Sequence, residues 1–503
     1  MADFPQQDAV HQKTGILILC FLCIFVANDS DMSATLDAVI VGAGPNGLAA
    51  GIVLAQAGKR VRIYEANDEI GGGARSGTLT LEGFTHDICS AVHPLAVGSP
   101  FFRSLPLARC GLEFIYPPAA LAHPFDDGTA VLLERSVETT SQQLGSDAAA
   151  YRRLIGPVVR SWSDISEDIL GPLKLPRHPI ALARFGMRAI RSAEASARSH
   201  FKEQKTRAFF AGLAAHSSVS LDHFGTAAFG LVLGATGHCF GWPIPRGGAQ
   251  ALSNALAVYF AELGGEIVTG KRIESMSDVP PARATLFDVT PRQLLTIAGD
   301  SIPSGFKRRL QRFKYGPGVF KMDWALSGPV PWQASACKQA ATVHLGGSFE
   351  EILESESDAW AGRTNARPFI IACQPSLFDS SRAPAGRHTF WAYCHVPNGS
   401  TTDMTTRIED QIERFAPGFR KLVLEKRVLS PALLEEHNAN LVGGDINGGA
   451  ATLAQMFTRP TLRTYSTPLP GVYICSSSTP PGGGVHGMCG YHAARVALRK
   501  SFE

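Results

Sequence analysis

Residues 37–65 read DAVIVGAGPNGLAAGIVLAQAGKRVRIYE. An apolar run of strand length (37–41) leads into a G-x-G-x-x-G turn (42–47) and an Ala- and Leu-rich helix (48–57) that Gly58 stops. A second strand, 60–64, ends on Glu65. The order strand, glycine turn, helix, strand and terminal acid predicts a complete dinucleotide-binding unit. Gly42 permits the tight turn, Gly44 lets the backbone come close to a pyrophosphate, and Gly47 lets the helix pack against the strand. Pro45 and Asn46 stand at the helix start, where free N–H groups and the positive dipole end face the phosphates. Glu65, eighteen residues past Gly47, is placed to bind both hydroxyls of an adenosine ribose and to repel a 2′-phosphate, which disfavours NADP.

Two further glycine clusters extend the site. In Gly71-Gly72-Gly73-Ala74-Arg75-Ser76, Gly72 and Gly73 keep the backbone bare. Arg75 offers a forked guanidinium, the natural clamp for a pyrophosphate. Near the C-terminus a strand (471–475) is followed by SSSTPPGGGVHG (476–487) and a helix over 491–500. The bare N–H groups of Gly483, Gly484 and Val485 suit a flat heterocycle and its attached chain, as in a flavin. His486 lies in the same loop, as a candidate base or as packing beneath the ring.

These segments, with the Pro245-Arg246-Gly247-Gly248 turn before a long helix, resemble the FAD-dependent oxidoreductases of the phytoene desaturase-like group, within the amine-oxidase superfamily. The nearest branch is that of the pyridine nucleotide-disulfide oxidoreductase domain-containing proteins, and the resemblance covers residues 35–498. It implies that FAD is the cofactor, with Glu65 on the adenosine ribose, Arg75 on the phosphates and residues 482–487 at the flavin end. Amine-oxidase members usually carry an acid after the C-terminal strand; this chain has Cys475-Ser476, which fits the desaturase-like branch better.

The expected fold class is α/β. A Rossmann-type, glutathione-reductase-like FAD-binding domain, discontinuous over 35–110, 225–300 and 455–500, is joined to a mixed α+β substrate domain over 111–224 and 301–454. At 503 residues the chain is long enough for two substantial cores. A net charge of +3 and the lack of any nucleic-acid motif argue against nucleic acid as a partner. Of ten cysteines only Cys20 and Cys23 form a C-x-x-C pair, away from the flavin-binding segments, so dithiol chemistry has no support and a reducing compartment is expected. Residues 16–27 are an unbroken apolar run, too short to span a bilayer, and Asp3 and Asp8 leave little positive charge before it. Residues 1–31 therefore read as an extension outside the fold, either a mis-assigned start before Met32 or a weak targeting segment. The expected location is cytoplasmic, with peripheral membrane contact, and mitochondrial in a eukaryote.

His86, Asp87 and His93 cluster in FTHDICSAVH (84–93) and are expected to shape the reaction pocket or to be structural; a metal site would need a third ligand. Residues 174–207 hold nine Lys or Arg against Glu194 and Glu203. Arg184, Arg188, Arg191 and Arg198 recur at helical spacing, which suits either a solvated helical lid or a helix lying on an anionic membrane. Apolar and aromatic runs at 318–326, 369–372 and 389–396 predict a mixed or antiparallel sheet. Trp324, Trp391 and Tyr393 are pocket lining or core. NLVGGDINGG (440–449) is read as a loop, not a second nucleotide site.

One dinucleotide site without a second unit for NAD(P)H points to hydride transfer from a substrate C–H to flavin, with reoxidation by oxygen or a quinone. The expected substrate is a small lipophilic molecule, apolar or isoprenoid-like. An amine oxidase, which predicts an aromatic pair facing the flavin, and an FAD-bound regulatory protein with little turnover are the alternatives. No G-x-S-x-G elbow, P-loop or H-E-x-x-H supports a hydrolase.

Overall fold

A computed structural model describes residues 35–503. The expectations for residues 1–31, including the Cys20–Cys23 pair and the apolar run, lie outside the described residues.

The opening motif folds as its pattern dictates. Leu36–Val41 is a strand with its last four residues buried, Pro45–Gln56 is a helix with Pro at its start, and Val61–Tyr64 is the second strand. Gly44 is the helix N-cap, and the residue has no side chain with which to cap the first turn. The two strands pair in parallel. They lie in a five-stranded, wholly parallel sheet of order Val472–Ile474, Ala282–Phe287, Leu36–Val41, Val61–Tyr64, Glu266–Val268. Five short segments drawn from both ends and the middle of the chain thus make one sheet. Their carboxyl ends carry Gly42, Glu65, Asp288 and Cys475, the edge at which such sheets bind ligands.

Close approach of helices fixes the edge geometry. A Cβ on Gly490, in helix Met488–Ala497, would stand 1.8 Å from the Asn46 carbonyl oxygen. A Cβ on Gly51 would meet Ile63 and Phe260 at 2.9 Å. The second of these positions seats the first helix between a strand and helix Gln250–Glu262.

A second sheet has seven strands in the order Val423–Leu429, Gly318–Leu326, His388–Val396, Ile370–Cys373, Ala340–Leu345, Ala119–Pro124, Ala130–Leu133. All its pairings are antiparallel except that of Ala340–Leu345 with Ala119–Pro124. It is the mixed sheet expected from the apolar runs, with four more strands than the three the sequence suggested: Ala119–Pro124, Ala130–Leu133, Ala340–Leu345 and Val423–Leu429. Strand alternation sorts the side chains of His388–Val396. Phe390, Ala392 and Cys394 enter a core with Trp324 and helix Thr405–Phe415. Trp391, Tyr393 and His395 point the other way, toward helices Ala148–Arg160, Gln204–Ala215 and Thr226–Phe240. Among the described residues no helix is long and apolar enough to cross a membrane.

Candidate functional site

A cleft of about 1030 Å³ opens along the carboxyl edge of the parallel sheet. Gly42, Gly44, Pro45, Asn46, Glu65, Gly72, Gly73, Gly483, Gly484, Val485 and His486 all line it. Three glycine segments from the two ends of the chain therefore meet in one place, and Asn46 Nδ2 donates to Ser477 Oγ at 3.3 Å across a gap of 431 residues.

The turn is closed by an acid that sequence reading passed over. Asp288 ends strand Ala282–Phe287 as Glu65 ends Val61–Tyr64, and Gly47 N–H donates to Asp288 Oδ2 at 2.9 Å. A Cβ on Gly44 would stand 2.9 Å from that oxygen, and one on Gly47 would stand 1.9 Å from the Gly42 carbonyl oxygen. Gly47 is thus required by the closure of the turn on itself, rather than by helix-on-strand packing. Burial pushes the Asp288 carboxyl up to about 7; the Gly47 N–H works against that shift and the Glu65 charge adds to it.

Glu65 is buried and already engaged. Ala43 N–H donates to Oε2 at 2.8 Å, and Asn67 donates to Oε1 from both its backbone N–H and its Nδ2 at 3.0 Å. A carboxylate accepts about four hydrogen bonds. One acceptor position remains, which leaves Glu65 room for a single ribose hydroxyl where the sequence suggested two.

Arg75 is buried at 8 % exposure, and its Nε and Nη1 have no hydrogen-bond partner among the described residues. It does not itself form the cleft surface, yet its charge is felt by His437, which does. Unpartnered guanidinium donors beside a glycine cradle are what a pyrophosphate would satisfy. Asp288, Arg75, the bare turn and the C-terminal glycine loop together fit FAD. Gly42, Gly44 and Arg75 would hold the phosphates, Glu65 the ribose, and Gly483 to Val485 the flavin end.

His486 is 1 % exposed, and its Nδ1 accepts from Met488 N–H at 3.0 Å. Burial pulls its pKa down to about 4. The ring is neutral and its Nδ1 lone pair is committed to the Met488 N–H, which does not suit the role of base. Gly483 has a reason beyond the cofactor: a Cβ there would lie 2.8 Å from Asn447 Oδ1.

The 84–93 cluster divides. His93 lines the cleft, accepts or donates with Ser90 Oγ at 3.1 Å, and is pulled down to about 4 by burial. His86 and Asp87 lie behind it. Burial pushes the Asp87 carboxyl up, but Arg382 at 2.7 Å, the Ala249 N–H and Ser76 outweigh that and hold it below the usual range. Neither His is on a helix: His86 is in the two-residue strand His86–Asp87, and His93 precedes helix Pro94–Gly98. Trp391 and Tyr393 line the cleft, with rings 5.9 Å apart and 10° from parallel, while Trp324 is core. The 440–449 loop is a wall of this same cleft, contributing Asn440, Asn447 and Gly448.

Beyond the glycine segments the walls turn apolar: Leu182, Phe185 and Ala189 from helix Pro179–Ala189, Phe229 and Val232 from helix Thr226–Phe240, and Leu453, Met456 and Phe457.

Parallel sheet, glycine turns and mixed second sheet make an architecture that has solved counterparts. A putrescine oxidase structure superposes with a TM-score of 0.60 at 17% identity, covering 93% of this chain and 99% of that one. This is the fold of the FAD-dependent oxidoreductases. Residues 40–103 match the model of the NAD(P)-binding Rossmann-like domain. The chain is 25% identical to pyridine nucleotide-disulfide oxidoreductase domain-containing protein 2 of Rattus norvegicus, over 92% of this chain and 93% of that protein. It is 24% identical to a neurosporene-forming phytoene desaturase of Rhodobacter capsulatus, over 90% and 92% of the two chains.

Proposed function

We propose that the protein is an FAD-dependent dehydrogenase or desaturase that takes hydride from a C–H bond of an apolar, isoprenoid-like substrate. The observation that carries this reading is that one cleft holds both the dinucleotide cradle and walls of Leu, Phe, Val and Trp. The resemblance to phytoene desaturases across nine-tenths of the chain agrees with it. When bound, FAD supplies the two-electron acceptor. The protein's residues do the rest. Gly483, Gly484 and Val485 present backbone N–H groups where negative charge grows. His486 stays neutral beside them, and the apolar walls exclude water and align the chain. Oxygen or a quinone would reoxidise the cofactor.

Thiol chemistry of the kind in the rat protein's name is disfavoured. Burial pushes the Cys89 thiol, which lines the cleft, up to about 11, and Cys489 up to about 12. Neither is a thiolate at neutral pH.

An amine oxidase is the second reading, favoured by the stacked Trp391–Tyr393 pair in the cleft. The two are separated by one experiment on protein starting at Met32. Flavin bands that bleach anaerobically with a lipid extract support the dehydrogenase. Bleaching and peroxide release with simple amines alone would transfer the assignment to the oxidase. Flavin that neither reduces would favour a regulatory protein.

The approach to the cleft suits a membrane. Helix Pro179–Ala189 turns Leu182 and Phe185 inward while Ile180 and Met187 stand 68 % exposed on its outside, and Leu175 just before it is 94 % exposed. Arg184, Arg188 and Arg191 have no carboxylate partner among the described residues. Apolar side chains and unneutralised cations on one outward face match an anionic lipid surface. A substrate dissolved in lipid would then enter the cleft beside this helix.

A further inference from the structure

Four distant segments bring together polar groups that the reading above leaves unused. Glu356 comes from helix Phe349–Trp360, His395 from strand His388–Val396, Ser218 from the turn after helix Gln204–Ala215, and Asn447 from the cleft wall. His395 Nδ1 lies 2.8 Å from Glu356 Oε2, and His395 Nε2 lies 3.1 Å from Ser218 Oγ. Asn447 Nδ2 donates to Ser218 Oγ at 3.1 Å. Glu356, His395 and Ser218 are exposed by no more than 4 %.

A carboxylate only accepts, and this gives the chain of bonds a direction. Glu356 takes the Nδ1–H; in the neutral imidazole Nε2 is then the lone-pair nitrogen and accepts the Ser218 O–H. The Ser218 oxygen then accepts from Asn447. Ser218 holds a left-handed backbone at φ 51°, uncommon for a residue with a side chain. Such strain persists where surroundings over-determine it. The Asn447 main chain is locked as well: its N–H donates to Asp445 Oδ1 at 2.7 Å, and its carbonyl accepts from Arg459 Nη2 at 2.7 Å. Ser, His and Glu in this order resemble a nucleophile array, but Ser218 is buried behind the cleft wall and does not line it.

The array orients Asn447. With one amide N–H committed to Ser218, the carboxamide retains its second N–H and its Oδ1, which no donor reaches among the described residues. A hydroxyl can both donate to the oxygen and accept from the N–H. A carbonyl or ether would leave the Oδ1 unmatched, and an ammonium would leave the N–H unmatched.

We propose that Glu356, His395 and Ser218 fix Asn447 as the polar anchor of an otherwise apolar cleft, and that the substrate is a lipophilic alcohol whose hydroxyl Asn447 holds beside Gly483. Asn447 is the binding residue; the other three are positioning residues. This deepens the FAD-oxidoreductase reading and rests on it.

The test is equilibrium binding to the FAD-loaded protein, followed by flavin difference absorbance, with 1-octanol and octyl methyl ether as probes. The ether keeps the oxygen and removes the donor. Wild type is expected to bind the alcohol about fivefold or more tighter than the ether, the discrimination that buried hydrogen bonds supply. Ser218→Ala and Asn447→Leu should each reduce the ratio to near one, chiefly by weakening the alcohol, a change that a merely structural role would not produce. Equal binding of both probes to wild type, or an unchanged ratio in both variants, overturns the anchor and leaves the apolar-cleft reading standing. Binding of neither probe overturns both.

Discussion

At the residue scale, the fit to FAD depends on places where a single atom would intrude. Gly44 has no room for a side chain beside Asp288 Oδ2, and Glu65 has one acceptor position left for a ribose. The double substitution Gly44→Val, Glu65→Ala should abolish FAD retention, read as loss of the visible flavin bands after gel filtration; normal flavin content would sink the cofactor assignment. Asp288 gives a pH dependence. Its carboxyl shifts from 3.8 to about 7 on folding, so between those values the folded state keeps a proton that the unfolded chain has lost. Stability from this group is complete below about pH 4 and is lost as pH rises through 7. Asp288→Asn removes the slope. The variant should be more stable than wild type at pH 8 by about 1 kcal/mol or more, and equal to it near pH 4, as measured by denaturant unfolding with FAD absent. A wild-type advantage at pH 8 would contradict the buried, proton-holding environment. Asp288 was legible in principle, because ATLFD repeats the apolar-strand-then-acid pattern of VRIYE. What the pattern lacks is the neighbour: only the fold puts that acid against the Gly47 N–H.

At the element scale, regular segments were legible and their partners were not. The glycine-turn unit and the C-terminal strand–loop–helix are present with boundaries shifted by a few residues, the C-terminal helix starting at Met488 rather than 491 and running on from Ala497 as a π-helical turn, Leu498–Phe502. Local propensity and periodicity fix such segments well and their ends poorly. The contact of that helix with the first one turns on Gly490, whose hydrogen sits where a Cβ would reach the Asn46 carbonyl. Gly490→Ala should push the two helices apart and cost on the order of 2 kcal/mol through overpacking. A thermal melt lowered by a few degrees, with weaker flavin retention because Asn46 moves, is the expected result; an unchanged melt would mean the helices separate freely. The basic segment 174–207 was read as helical, and helices Pro179–Ala189 and Ala193–His200 lie within it. Its charge pattern did not reveal that the first of these also walls the cleft.

At the scale of the whole molecule, the outward face of Pro179–Ala189 makes a prediction about where the enzyme works. Cosedimentation with phosphatidylserine-containing vesicles should be strong at low salt and weaken as salt screens the arginines. The pair Ile180→Glu, Met187→Glu should lower it about tenfold or more, since two exposed apolar side chains are withdrawn from the lipid. Equal binding by wild type and variant would leave this face merely solvated. The sequence by itself determined the dinucleotide unit, the cofactor class and the α/β architecture, because glycine turns, apolar periodicity and terminal acids act over a few residues and carry their geometry with them. Tertiary structure decided the rest. Whether Trp391 lines a cleft while Trp324 is core, and whether Glu356, His395, Ser218 and Asn447 meet at all, depends on which face of a sheet packs on which helix. Those contacts join residues up to 229 positions apart, and no local preference of the chain encodes them.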